Sequence, residues 1–180
     1  MPLDTSLRIG AGNVEMDDYG GSFATPTDLG KTHEDGIQIQ YSAEVKKVKS
    51  AQDITVEEVF LIAEEMTLEF ALKEHKLEHL ALSFGHDTTA VVDDTTSTPK
   101  TKSLEFGARR TLPIKAFRLK IPQPQDPNLY DTIIIYRGLV TPNFNQAFTY
   151  QNERYIPIKI ECLGDPNNNG KLGKFISEYN

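Results

Sequence analysis

The stretch 36–72 constrains the fold more than any other part of the chain. It opens with Ile37-Gln38-Ile39-Gln40-Tyr41-Ser42-Ala43-Glu44-Val45, apolar at odd positions and polar at even ones. It closes with a run in which Met66, Leu68, Phe70 and Leu72 share one face and Glu65, Thr67, Glu69 and Ala71 the other. A period of two marks a half-buried strand, because successive side chains leave a strand on opposite faces. The alternation breaks at Lys46-Lys47-Val48-Lys49, so the chain is expected to leave the core there and to turn at 50–53. On the returning strand Phe60 and Ile62 extend the inner face and Glu64 interrupts it, which predicts a bulge or a second exit from the core. The expectation is one long antiparallel hairpin whose basic tip, 46–57, projects from the body.

The rest of the chain supplies more strands and one helix. Residues 1–36 are glycine-rich and weakly patterned, with short strands expected near 6–9 and 13–17 and a loop from there to Gly36. Leu77, Leu80, Ala81 and Phe84 follow helical spacing with Gly85 at the stop position, which predicts a helix of roughly ten residues. Residues 86–103 are rich in Thr, Ser and Asp and are expected to form a flexible loop. Strands are expected again at 104–107 and 112–121. Pro122, Pro124 and Pro127 mark a loop, and the β-branched run 132–140 is expected to be buried on both faces. A further strand is expected to begin at 147–150. In 154–162 the residues Ile156, Ile158, Ile160 and Cys162 should face inward, with Pro157 at a sheet edge. A polar arm, 164–180, carries the pair Phe175-Ile176. The predicted fold class is mainly β: one domain over 1–180, a β-sandwich or barrel with one flanking α-helix, a long projecting hairpin and extended terminal arms.

Composition narrows the function. The chain has 180 residues, enough for one sizeable core. Nineteen Lys and Arg against 26 Asp and Glu leave a net charge of −7, so no basic face for general nucleic-acid binding is expected. One cysteine, Cys162, excludes an intrachain disulfide and a cysteine zinc site. The opening MPLDTSLRIG has no basic and apolar signal regions, and no apolar run approaches the roughly 18 residues of a membrane span. The expectation is a soluble protein of a reducing compartment. At 38% hydrophobic content the core is lean, so a further source of stability is expected outside the single chain.

No catalytic, cofactor or metal residue emerges. His75-Lys76-Leu77-Glu78-His79 fits H-x-x-E-H, but the helix is short, no later helix offers a third ligand, and the apolar stripe places the histidines on its flank. Asp165-Pro166-Asn167-Asn168-Asn169-Gly170 matches half a calcium loop, yet position twelve is Ile176 rather than a bidentate Glu. The alternative is an Asx-rich turn. Gly10-Ala11-Gly12 lacks the third glycine of a dinucleotide loop, and Cys162 sits among inward isoleucines as a small core residue. Lys46, Lys47 and Lys49 form a basic tip, which is either a solvated hairpin end or a charged contact for another subunit, with Glu57, Glu58, Glu64 and Glu65 as its complement.

The order of elements resembles the major tail tube protein of long, non-contractile-tailed bacteriophages, within the phage tail tube and secretion-tube superfamily. The resemblance is carried by Leu29-Gly30-Lys31-Thr32-His33-Glu34-Asp35-Gly36 leading into the strand at Ile37. It continues through the strand-to-helix passage 65–84 and the late strand ending in Leu163-Gly164-Asp165. It implies a structural virion protein, assembled in the host cytoplasm, whose copies form stacked hexameric rings as a conduit for DNA ejection. The implied partners are further copies of the chain and tape-measure, tail-terminator and distal tail proteins, with transient, non-specific passage of DNA and no membrane. By position, the hairpin residues Lys46, Lys47, Val48, Lys49, Ser50 and Gln52 would contact the next ring, together with arms 1–36 and 164–180. Glu65, Thr67 and Glu69 are the lumen-facing candidates. Six copies at −7 each would carry about −42, and a negative lumen repels phosphate. A second reading is a β-sandwich binding module of carbohydrate or adhesin type, with calcium at Asp165, Asn167 and Asn169. The absence of Trp speaks against it.

Overall fold

The computed structural model describes residues 12–49, 56–107, 111–142, 144–145 and 155–179. The protein is mainly β. Among the described residues its strands are β1 (Asn13–Asp18), β2 (Thr27–Lys49), β3 (Val56–Leu72), β4 (Val91–Asp94), β5 (Thr101–Leu104), β6 (Ile114–Pro122), β7 (Tyr130–Thr141), β8 (Ile156–Cys162) and β9 (Gly173–Ser177), with one α-helix, α1 (Leu77–Ser83). All pairings are antiparallel. The large sheet runs β6-β1-β2-β3-β8-β7-β9, and β7 also pairs with β6. Six strands therefore return to their starting edge, and the sandwich-or-barrel alternative resolves to a closed barrel. Closure leaves no open edge where the strands overlap.

The barrel interior follows the sequence parity. Met66, Leu68, Phe70 and Leu72 of β3 are buried, as are Ile156, Ile158, Ile160 and Cys162 of β8. Val14 and Met16 of β1, Leu29 of β2, Phe117 and Leu119 of β6, and Ile133, Ile135 and Val140 of β7 complete the core. Gly138 lets two layers approach: a Cβ there would lie 2.8 Å from Phe117 Cδ2 and 2.9 Å from Ile160 Cγ2.

Helix α1 closes the core near the end of β3. It lays Leu82 on the cluster, and Ser83 Oγ donates to the Pro157 carbonyl at 2.7 Å. Pro157 lies where β8 has run past β7, whose ladder covers only Lys159–Cys162, so its missing N–H costs no bond on that side. The helix stops as the sequence predicts. Gly85 takes φ +69, its N–H reaches the Leu82 carbonyl, and the His86 N–H reaches the Ala81 carbonyl. It is shorter than expected, at seven residues, because it starts only at Leu77.

Several local expectations change. β2 begins at Thr27, so the loop expected to run to Gly36 is largely strand, interrupted between Thr32 and Ile37. Residues 86–103, expected as a loop, carry a short 3-10 turn and the small β4–β5 hairpin. The polar segment after Gly164 contributes β9, which pairs along Asp131–Ile135 of β7 while β8 holds Gly138–Thr141 of the same edge. β8 and β9 thus lie end to end, with residues 163–172 as an excursion between them. The strands expected at 6–9 and 147–150 and the turn at 50–53 lie outside the described residues.

Leu68 sits at the centre of the barrel with no exposure. Leu68→Ala should cost about 2–5 kcal/mol of unfolding free energy, read by chemical denaturation. Gly138→Ala should cost about 1–3 kcal/mol by overpacking.

Candidate functional site

The β2–β3 hairpin outgrows the barrel. β1 pairs with β2 only between Thr27 and Lys31, and β8 pairs with β3 only between Met66 and Leu72. Beyond those limits Ile37–Lys49 and Val56–Glu65 pair only with each other or with the end of β3 in the barrel, among the described residues. The outer half of the hairpin therefore has two free edges and two open faces. Tyr41, Val59, Phe60, Leu61 and Ile62 are each between 52% and 58% exposed, and Ile39, Val45 and Val48 are exposed as well.

One of these faces continues the barrel's inner face. Cross-strand partners share a face, and the register sets Ile37 opposite Phe70, Ile39 opposite Leu68, Tyr41 opposite Met66 and Ala43 opposite Glu64. This corrects the sequence reading of 37–45 as half-buried. The alternation is real, but past Ile37 no second layer among the described residues buries it. Tyr41 Oη donates to Glu64 Oε1 at 2.7 Å, and this bond holds the Tyr41 hydroxyl above its ordinary pKa.

The expected bulge is present. Glu44 pairs with Ala63, but Val45 pairs with Leu61, so Ile62 is the extra residue. Past it the parity of β3 changes. Leu61 and Val59 join Val45 on the face continuous with the core, and Phe60 moves to the other face beside Lys46. The reading that Phe60 extends the inner face is thereby corrected.

The opposite face is polar over the barrel. Glu65, Thr67 and Glu69 lie side by side with Ser42, Gln40 and Gln38 of β2, and Thr67 and Glu69 also pair with Glu161 and Lys159 of β8. Lys159 Nζ meets Glu69 Oε1 at 2.7 Å, which raises the lysine pKa. The three sequence candidates thus share one outward face. Of the hairpin candidates, Lys46 lies opposite Phe60, Lys47 opposite Val59 and Val48 opposite Glu58. Lys49 ends β2, and Ser50 and Gln52 lie outside the described residues. Sequence reasoning missed Val59, Leu61 and Tyr41 as surface residues. The signal available was the unbroken run Val59-Phe60-Leu61-Ile62, which no one-sided strand can bury.

A cleft of about 270 Å³ separates the hairpin from β9, with Tyr41, Glu64 and Met66 on one side and Leu172 and Phe175 on the other. Phe175 and Ile176 are exposed beside it.

The other sequence motifs resolve into local structure. His75 precedes α1, so it does not share a helix face with His79. His79 is 2% exposed rather than on the flank, and its Nδ1 donates to the Glu74 carbonyl at 2.8 Å. Glu78 is ion-paired with Lys102, which lowers its pKa. Among the described residues no group of three or more His, Cys, Asp or Glu is placed to hold a metal ion. Burial pushes the Cys162 thiol up to about 12. Asp165 is 3% exposed and already engaged: Oδ1 accepts from the Tyr19 hydroxyl at 2.7 Å and from the Asn167 N–H at 3.0 Å, and Oδ2 accepts from the Asn168 amide. The Asx-rich turn is what forms, with Asn169 in the left-handed region at φ +57.

No protein-family model matches the chain, and no curated protein matches it. Among solved structures, a chain of the six-fold symmetrised baseplate of an anti-feeding prophage is similar at 9% identity, over 99% of this chain and 95% of that one, with a TM-score of 0.39. Similarity at this level does not define a shared fold.

The side-chain amide of Asn168 and the Tyr19 hydroxyl hold the Asp165 carboxyl below its ordinary range. A depressed carboxylate stabilises the fold above its unfolded pKa, near 3.9, and that contribution is lost as pH falls through the lower folded value. Asp165→Asn should unfold at lower urea than wild type at pH 7, and the gap between the two midpoints should shrink by pH 3.

Proposed function

We propose that the chain is a structural subunit that self-associates through its overhanging hairpin into rings, and that stacked rings form a phage-type tail tube. The observation that supports this reading most strongly is the outer half of the β2–β3 hairpin: five large apolar side chains more than half exposed, on strands with no partner beyond each other among the described residues. An exposed, long, apolar edge is an aggregation site unless a defined partner covers it. A copy of the same chain can do so, because the hairpin offers two different edges and one largely apolar face, broken by Glu64 and Lys47.

In this reading hexameric rings bring the polar faces of β2, β3 and β8 together around a channel, with Glu65, Thr67 and Glu69 among its lining. Acidic and amide side chains would let DNA slide without holding it. Lys46, Lys47 and the tip beyond them would reach the adjacent ring. A tape-measure protein would fill the channel before ejection, terminator and distal proteins would close its ends, and the assembled chain would reside in the virion tail. Resemblance of the sequence to tail tube proteins supports the same conclusion.

Negative-stain electron microscopy across a concentration series tests the reading. Hollow rings or tubes of uniform width are expected, and monomeric particles at every concentration would contradict it. Leu61→Glu should abolish assembly while leaving barrel stability within about 0.5 kcal/mol, because the site lies on the surface of the isolated chain. Deleting residues 46–52 should leave a folded monomer that cannot stack.

A further inference from the structure

We propose that the β-bulge at Ile62 sets the angle at which successive copies join, and so fixes how many copies close a ring. The inference rests on the self-association proposed above.

The two free edges of the hairpin differ in charge. The β2 edge carries Lys46 and Lys47 near the tip, whereas the β3 edge carries Glu58 there and Glu64 and Glu65 nearer the barrel. Two-fold pairing of like edges would set like charges near each other. Pairing of unlike edges in hairpins that point the same way is antiparallel. It sets Lys46 of one copy diagonal to Glu58 of the next on the same face, since Val48 and Glu58 are already level within one hairpin. The occupant that fits the β3 edge is therefore the β2 edge of a second copy. Such a contact is head-to-tail. It closes into a ring only if its rotation divides a full turn, and otherwise runs on as an open filament.

The rotation is built into the hairpin at the bulge. Between Ala63 and Leu61 one residue of β3 has no partner on β2, and an extra residue bends its strand and increases its local twist. The bulge sits within the free part of the hairpin, three residues beyond Glu65 on β3 and between Glu44 and Val45 on β2. A neighbouring strand that pairs on both sides of it must follow the bend, so bend and joining angle are the same quantity. Ile62 itself is more than half exposed and is not among the core residues, so no core packing among the described residues requires the extra residue.

Deleting Ile62 isolates the bend from the surface chemistry. The deletion leaves Val45 opposite Leu61 and every other side chain on its face, and it lies outside the barrel. Ile62→Thr keeps the bulge and removes the apolar side chain. A serine inserted beside Ile62 widens the bulge. Wild type and the three variants are compared by electron microscopy for rotational symmetry and diameter, with urea midpoints as the check on folding. The expected result is a wild-type midpoint throughout, wild-type ring symmetry for Ile62→Thr, and changed symmetry, open ribbons or no rings for the deletion and the insertion. If the deletion unfolds the protein, the insertion decides alone. Rings of wild-type symmetry in the bulge variants would overturn the inference and leave the assembly reading standing. Loss of rings in Ile62→Thr as well would also overturn it, because the side chain and not the bend would then be responsible. A wild-type chain that never assembles would overturn both.

Discussion

Barrel closure is the constraint on which the rest of the structure depends. β7 pairs with β6 along one edge and divides its other edge between β8 and β9, and this fixes which stretch of every other strand can be enclosed. β3 is 17 residues long, but β8 is 7 and covers only Met66–Leu72. β2 is 23 residues long, and β1 covers only its first turns of pleat. The two longest strands therefore overhang a barrel built to the length of the shortest ones. Burial in the enclosed part is thorough, with Leu68, Leu72, Phe117, Leu119, Ile135 and Ile160 fully buried. None of that stabilisation reaches the overhang.

The overhang explains why so lean a sequence spends large apolar residues on its surface. Apolar area contributes roughly 25 cal/mol per Å² when it leaves water. Tyr41, Val59, Phe60, Leu61 and Ile62 gain only part of that in the single chain. A hairpin on its own is marginal in water and needs further strands or a packed layer. Association as proposed would supply both at once, strands at the edges and a layer on the face. The same geometry keeps the polar face of Glu65, Thr67 and Glu69 on the side away from the barrel core, so burying one face in an assembly need not bury the other.

Strand parity was legible in the sequence wherever burial depends on one chain alone. The inward sets of β3 and β8, the glycine stop of α1 and the edge position of Pro157 all follow from local pattern. What pattern cannot supply is the identity of the covering layer. Ile39 and Tyr41 alternate as regularly as Leu68 and Phe70, yet only the second pair lies over the barrel. His79 was misplaced because the apolar stripe Leu77, Leu80 and Phe84 suggested a different inward face, whereas Ala81, Leu82 and Ser83 pack inward with the histidine. The β4–β5 hairpin and β9 were hidden by polar composition, since short strands at a surface need backbone partners more than apolar side chains. The bulge was legible from Glu64, although its extra residue proved to be Ile62.

Amide hydrogen exchange in the outer hairpin tests the central claim most directly. The account predicts fast exchange of outward-facing amides in Ile37–Val48 and Val59–Glu65 in dilute protein, and strong protection of the same amides once the protein has assembled. Barrel amides in Met66–Leu72 should be protected in both states. Equal protection of the outer hairpin in dilute and assembled protein, or assembly that leaves it unprotected, would contradict the claim that this surface joins one copy to the next.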